Sequence, residues 1–237
     1  MFSLLIALFL VVSPIFPAAN AGPLAPPNIE TAIRGTKKHS RDAVLVIGNE
    51  NYHHLPQALY AQNDMEMMAN YFKNTRKLRR WKSTSLRNAR AKDIEKQLKK
   101  RARSVSRSGT LWVYFGGHGY TDKEGNRFLL GIDAKDGDPT KHSVELNRLI
   151  ELGTKRGNRL VIIVDAGFGN TGRDGMNVLD KKDQGRPHKL PYSDPKVIVW
   201  LADTGFGPNV ALPTAQHGLH SYLVMGALRG WADGELD

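Results

Sequence analysis

Apolar residues along the chain fall into short runs, and the runs alternate with stretches of helical spacing. Ala43-Val44-Leu45-Val46-Ile47-Gly48 is a continuous apolar run closed by glycine, the pattern of a strand covered on both faces. Residues 111–115 repeat it and end in Gly116-Gly117-His118-Gly119. Residues 160–164 repeat it again and end in Asp165-Ala166-Gly167. Residues 128–132 and 197–201 read as further strands. Met65, Met68, Ala69 and Phe72 recur at helical spacing, with Asn63 or Asp64 as the start signal. Ile94, Leu98 and Ala102 mark one face of a second helix. Residues 144–152 read as a third, with Leu146, Leu149 and Ile150 inward, and residues 217–230 as a last one. Strands alternating with helices predict right-handed crossovers and an α/β domain whose parallel sheet is covered on both faces.

The ends of the chain change this picture only at its margin. Phe2 to Val12 is apolar apart from Ser3, too short to span a bilayer comfortably, and is followed by Ala19-Asn20-Ala21. This reads as a signal peptide over residues 1–21, which places the mature protein outside the cytoplasm, secreted or periplasmic; with no Lys or Arg before the apolar run, the alternative is an uncleaved membrane anchor. Residues 22–40 are Pro-rich and then basic, and read as a flexible lead-in to one domain over 41–237.

Charge is gathered in one place. The chain carries 34 Lys and Arg against 23 Asp and Glu, a formal +11. Between Lys73 and Arg107 there are 15 basic and 2 acidic residues, so the rest of the chain is close to neutral. That segment reads as a solvated helix face, with contact to an anionic partner as the alternative. It carries no nucleic-acid motif. Asp133, Asp136 and Asp138 lie close together but lack the calcium-loop pattern, and no metal site or cofactor is expected.

In a parallel sheet the chemistry gathers at the carboxyl ends of the strands. Two such ends stand out. His118 is flanked by glycines that let a backbone approach closely, and the amide of Gly119 is a candidate oxyanion donor. Asp165 and Gly167 end the other strand. Taken singly, His118 is a loop histidine and Asp165 a turn cap; the pair at adjacent strand ends is what suggests a site.

These residues carry a resemblance. Val44 to Asn49 with Asn51-Tyr52, Leu55-Pro56 with Ala61-Gln62-Asn63-Asp64, and Trp112 to Gly119 resemble successive blocks of the caspase-like cysteine peptidases, of the metacaspase and bacterial caspase-homologue type. Val161 to Ala166 and then His217 to Leu223 with Ala227 to Asp233 continue the match in order. The resemblance implies a caspase-like three-layer αβα sandwich with a mostly parallel central sheet. It also implies a Cys nucleophile, His118 as its catalytic partner, and an acidic pocket for Arg or Lys at Asp64 and Asp165. The chain departs from the family where the nucleophile belongs: Gly167 stands there, and the chain contains no cysteine at all. Neither Thr171 nor Ser221 aligns with that position. The expectation is therefore a pseudopeptidase that binds a basic peptide or protein without cutting it. The alternatives are an active or formerly active Arg/Lys-specific peptidase, hydrolysis by water activated at His118, or a scaffold acting through its basic segment.

Overall fold

The computed structural model describes residues 27–31, 33–179, 185–188, 194–202 and 209–231. The leader over 1–21 lies outside them. Among the described residues, no helix is long and apolar enough to cross a membrane.

Strands β1 (Ala43–Gly48), β2 (Ser83–Arg87), β3 (Thr110–Gly116), β7 (Arg159–Asp165) and β8 (Val197–Leu201) form one sheet in the order β2-β1-β3-β7-β8. Every pairing in it is parallel. The register sets Gly48 beside Gly116 and Gly116 beside Asp165, so three strands end level with one another. Helices α2 (Ala91–Ser104) and α3 (Leu146–Thr154) cover one face, where Ile94, Leu98, Leu149 and Ile150 meet Leu45, Ile47, Val113 and Ile162. Helices α1 (Ala61–Asn70) and α4 (Leu219–Leu228) cover the other, where Met65, Met68 and Val224 meet Val44, Val46 and Ile163. Alternate residues of one strand thus enter opposite cores, which is why these strands read as unbroken apolar runs. This is the sandwich that the alternation of runs predicts.

Several boundaries differ from the sequence reading. Helix α1 begins at Ala61, before Asn63 and Asp64, because Tyr60 turns the chain at φ 64°. Asp64 is thereby a first-turn residue rather than a cap, and is free to point into the fold. A π-helical stretch, Tyr71–Thr75, extends the helix. The expected helix over 144–152 starts at Leu146, since Ser143–Glu145 pairs as β6 with β5 (Arg127–Leu130), which also pairs with β4 (Gly119–Thr121). The last helix starts at Leu219, because His217–Gly218 forms β10 against β9 (Ala211–Leu212). The lead-in, expected to be flexible, is held over its described start. Ile29 is 2% exposed, the Tyr222 hydroxyl donates to the Pro27 carbonyl at 2.6 Å, and Arg229 donates to the Ile29 carbonyl at 2.6 Å.

Candidate functional site: an acidic pocket beside a buried histidine

The site forms where β1, β3 and β7 end. Asn49, the residue after β1, is fully buried and braces the end of the sheet. Its side-chain Nδ2 donates to the Ala89 and Leu130 carbonyls, both at 3.0 Å, and its Oδ1 accepts from the Ala89 backbone amide at 2.7 Å. Gly117 ties β3 to β7 by donating to the Asp165 carbonyl at 3.2 Å. His118 follows directly and is 2% exposed. Its Nε2–H donates to the Pro56 carbonyl at 2.8 Å, which fixes the tautomer, because a carbonyl can only accept. The Tyr52 hydroxyl accepts from the His118 amide at 2.9 Å, and the two rings pack at 4.7 Å. Burial lowers the His118 pKa to about 4, despite the Pro56 hydrogen bond that opposes the shift. At neutral pH this imidazole is uncharged.

Gly119 and Gly167 are brought into contact. A Cβ on Gly119 would lie 2.7 Å from the Gly167 carbonyl oxygen and 2.9 Å from the Phe168 ring, so no side chain fits there. A Cβ on Gly167 would lie 2.9 Å from the Thr171 carbonyl oxygen. The backbone of the following loop therefore closes over this position. Ser221 is also buried. Its amide donates to Asp165 Oδ2 at 2.9 Å, its hydroxyl donates to the same oxygen, and its Oγ lies 2.7 Å from the Tyr114 hydroxyl.

Asp64 and Asp165 face one another across the ends of α1 and β7, both wholly buried. They do not line an open pocket, because Arg173 lies between them. Its Nη1 donates to Asp64 Oδ2 and to the Leu59 carbonyl, each at 2.7 Å. Its Nη2 lies 3.1 Å from Asp165 Oδ2 and donates to the Asp165 carbonyl at 3.3 Å. On the far side of Asp64, His217 Nδ1 lies 2.8 Å from Asp64 Oδ1, and its Nε2 lies 2.8 Å from Glu30 Oε1 in the lead-in. A ring flanked by a carboxyl group at each nitrogen is favoured in its doubly donating, protonated form. Burial would lower the pKa of His217, but its bonds to Asp64 and Glu30 outweigh burial and raise it. Burial also dominates at Asp64 and raises its pKa despite Arg173. At Asp165 burial is overcome by the Arg173 charge and the Ser221 donors, and the pKa is lowered. The pair of carboxylates is thus matched inside the fold by Arg173 and His217.

The structure brings together all five residues singled out in the sequence: His118, Gly119, Gly167, Asp64 and Asp165. Arg173, His217 and Glu30 complete the cluster and were missed. The only sequence signal for Arg173 is its place between Gly172 and Gly175 in a long polar loop. His217 stands out in the sequence only as the start of a block that resembles the family.

The basic segment divides when folded. Arg76 pairs with Asp42 at 2.7 Å, Lys99 with Glu95 at 2.9 Å, and Arg87 with Glu66. Lys82 is buried and donates to the Ser40 carbonyl at 2.7 Å, and buried Arg101 donates to the Trp81 carbonyl. Lys92, Lys96, Lys100 and Arg103 remain exposed on the outer side of α2, the face opposite Ile94 and Leu98. Asp133 lies 3.1 Å from His142, while Asp136 and Asp138 are exposed. Among the described residues, no three His, Asp or Glu side chains gather as metal ligands would.

Residues 41–222 match the family model described as the caspase domain. Caspase-1 from Spodoptera frugiperda superimposes with a TM-score of 0.54 at 14% identity, over 81% of this chain and 71% of that one. A protein from Geobacter sulfurreducens superimposes with a TM-score of 0.57 at 13% identity, over 82% of this chain and 83% of that one. At such identities the likeness is one of fold. No curated protein matches the sequence significantly.

Proposed function

The chain belongs to the caspase-domain family, and from that premise we propose that it is a non-cutting member that binds basic peptide or protein segments at Asp64 and Asp165. The observation that carries this reading is Gly167. It follows β7 at the position where the family resemblance calls for cysteine, and the chain has no cysteine elsewhere. Without a thiolate no acyl-enzyme forms, and what survives is binding and whatever the backbone amides stabilise.

The surroundings support the same reading. Ser221 is committed to Asp165 and Tyr114, so its hydroxyl is no substitute nucleophile. His118 is neutral, buried and bonded through Nε2–H to a carbonyl, which suits a structural histidine better than a general base that must reach a substrate water. The carboxylate pair is retained, and two carboxylates with adjacent carbonyls suit a guanidinium by directed hydrogen bonds. With the leader over 1–21 removed, the binding takes place in a secreted or periplasmic setting.

The test is turnover. Fluorogenic peptides ending in Arg, Lys or Asp are incubated with the unmodified protein and with His118→Ala. The two are expected to release fluorophore at the same background rate. A rate in the unmodified protein that disappears in His118→Ala would establish hydrolysis and reject the reading.

A further inference from the structure

Arg173 supplies to the acidic pocket the same chemical group that the proposed ligand would bring. We propose that Arg173 is the resident ligand of the Asp64–Asp165 pocket, and that an arginyl side chain presented from outside binds by taking its place as the 170–179 loop lifts. This deepens the reading of the site as a binder of basic segments and rests on it.

Four observations carry the exchange. First, among the described residues most of the loop's backbone hydrogen bonds are internal, and the one from outside is the Ala211 amide donating to the Arg173 carbonyl at 3.3 Å. Asn170 bonds through its side chain to the Leu179 amide and carbonyl, its carbonyl accepts from Val178, and Gly172 donates to the Met176 carbonyl. Gly175, at φ 80°, donates back to Gly172 and closes the turn. A segment that keeps its own hydrogen bonds can move as a unit without stranding them. Asp174 to Asn177 at its tip are exposed, whereas the Arg173 side chain is wholly buried. Second, the fit of Arg173 is incomplete. Its Nε and the Asp165 Oδ1 are both buried without a hydrogen-bond partner. A guanidinium entering at another angle could use acceptor capacity that Arg173 leaves idle. Third, exchange of one guanidinium for another conserves charge. Neither end state leaves the buried carboxylates unpaired, which is the state that makes ordinary loss of such a residue costly. Fourth, the same loop covers the rest of the site. A Cβ on Gly172 would stand 3.4 Å from His118 Cε1, and the Thr171 carbonyl overlies Gly167. Displacing Arg173 therefore opens the cleft in which a bound peptide would lie.

The exchange is tested with Ac-Ala-Ala-Arg-amide and its citrulline counterpart, which has nearly the same shape but no charge. Calorimetry compares the unmodified protein, Arg173→Ala, and Arg173→Ala with Asp64→Asn. Removing the internal competitor is expected to tighten arginyl-peptide binding about tenfold or more, because the vacant state no longer has to be formed against Arg173. The citrulline peptide and the doubly substituted protein are expected to show no such gain. In the unmodified protein, saturating arginyl peptide is expected to speed hydrogen exchange at the Ala211 amide, which loses the Arg173 carbonyl when the loop lifts, while the Gly172, Val178 and Leu179 amides keep their acceptors within the loop. That measurement stands alone if Arg173→Ala does not fold. Equal affinity in folded Arg173→Ala, or binding that leaves exchange at the Ala211 amide unchanged, overturns the exchange while leaving a basic-ligand site intact. No binding to either protein overturns both.

Discussion

Replacing Asp165 with alanine is expected to lower the unfolding free energy by about 3–5 kcal/mol, the cost of leaving a buried charge without its partner. Asp165 accepts from the Ser221 amide and hydroxyl and lies 3.1 Å from Arg173 Nη2, with side-chain exposures of zero on both sides of the ion pair. Water cannot take over these contacts, so the guanidinium is left with Asp64 as its single carboxylate while Ser221 loses its acceptor. The measurement is urea unfolding of Asp165→Ala beside Asp133→Ala. Asp133 pairs with His142 at a partly exposed site, where a pair contributes up to about 1 kcal/mol. Comparable losses in the two variants would mean that the buried network is not formed as described.

Phe168→Ala is expected to cost a similar amount, about 3–5 kcal/mol, by a different route. Phe168 is fully buried beside the turn that carries Gly167, and its carbonyl accepts from Thr121 Oγ1 at 3.1 Å. Its ring packs where a Gly119 side chain would be, and the Arg127 guanidinium carbon lies 5.6 Å from the ring centre. Truncation leaves a cavity between β4 and the end of β7, and those segments are held by backbone bonds that resist collapse. Phe168→Leu fills most of the space and is expected to recover most of the loss. A loss below about 1 kcal/mol in Phe168→Ala would place the ring outside the packed core.

How much of this was readable from the chain follows from burial and from distance along it. Strands β1, β3 and β7 are buried on both sides, so their sequences are unbroken apolar runs and were visible. Strand β2 is Ser83-Thr84-Ser85-Leu86-Arg87 at a sheet edge, half exposed and polar, and no run marks it. The β4–β5–β6 ribbon consists of strands of three or four residues and is defined by its pairings more than by its pattern. At the site, His118, Gly119, Asp165 and Gly167 sit at strand ends, where topology collects functional groups. Asp64 came through resemblance alone. Arg173 lies 109 positions from Asp64, and His217 lies 153. No local pattern joins residues so far apart; only the fold does. The consequence is more than a missing contact. From the sequence the acidic pair was expected to be open to a ligand, whereas in the folded chain it is filled.

That occupancy is measured most directly by the side-chain NMR of arginine. A guanidinium held between Asp64, Asp165 and two carbonyls cannot rotate or exchange its protons freely. A set of separate, slowly exchanging Nη–H resonances from Arg173 is therefore expected, absent from Arg173→Lys and unchanged in a control that removes an exposed cation, Arg103→Lys. Spectra of the two variants that both match the unmodified protein, with no slowly exchanging set assignable to Arg173, would contradict the account.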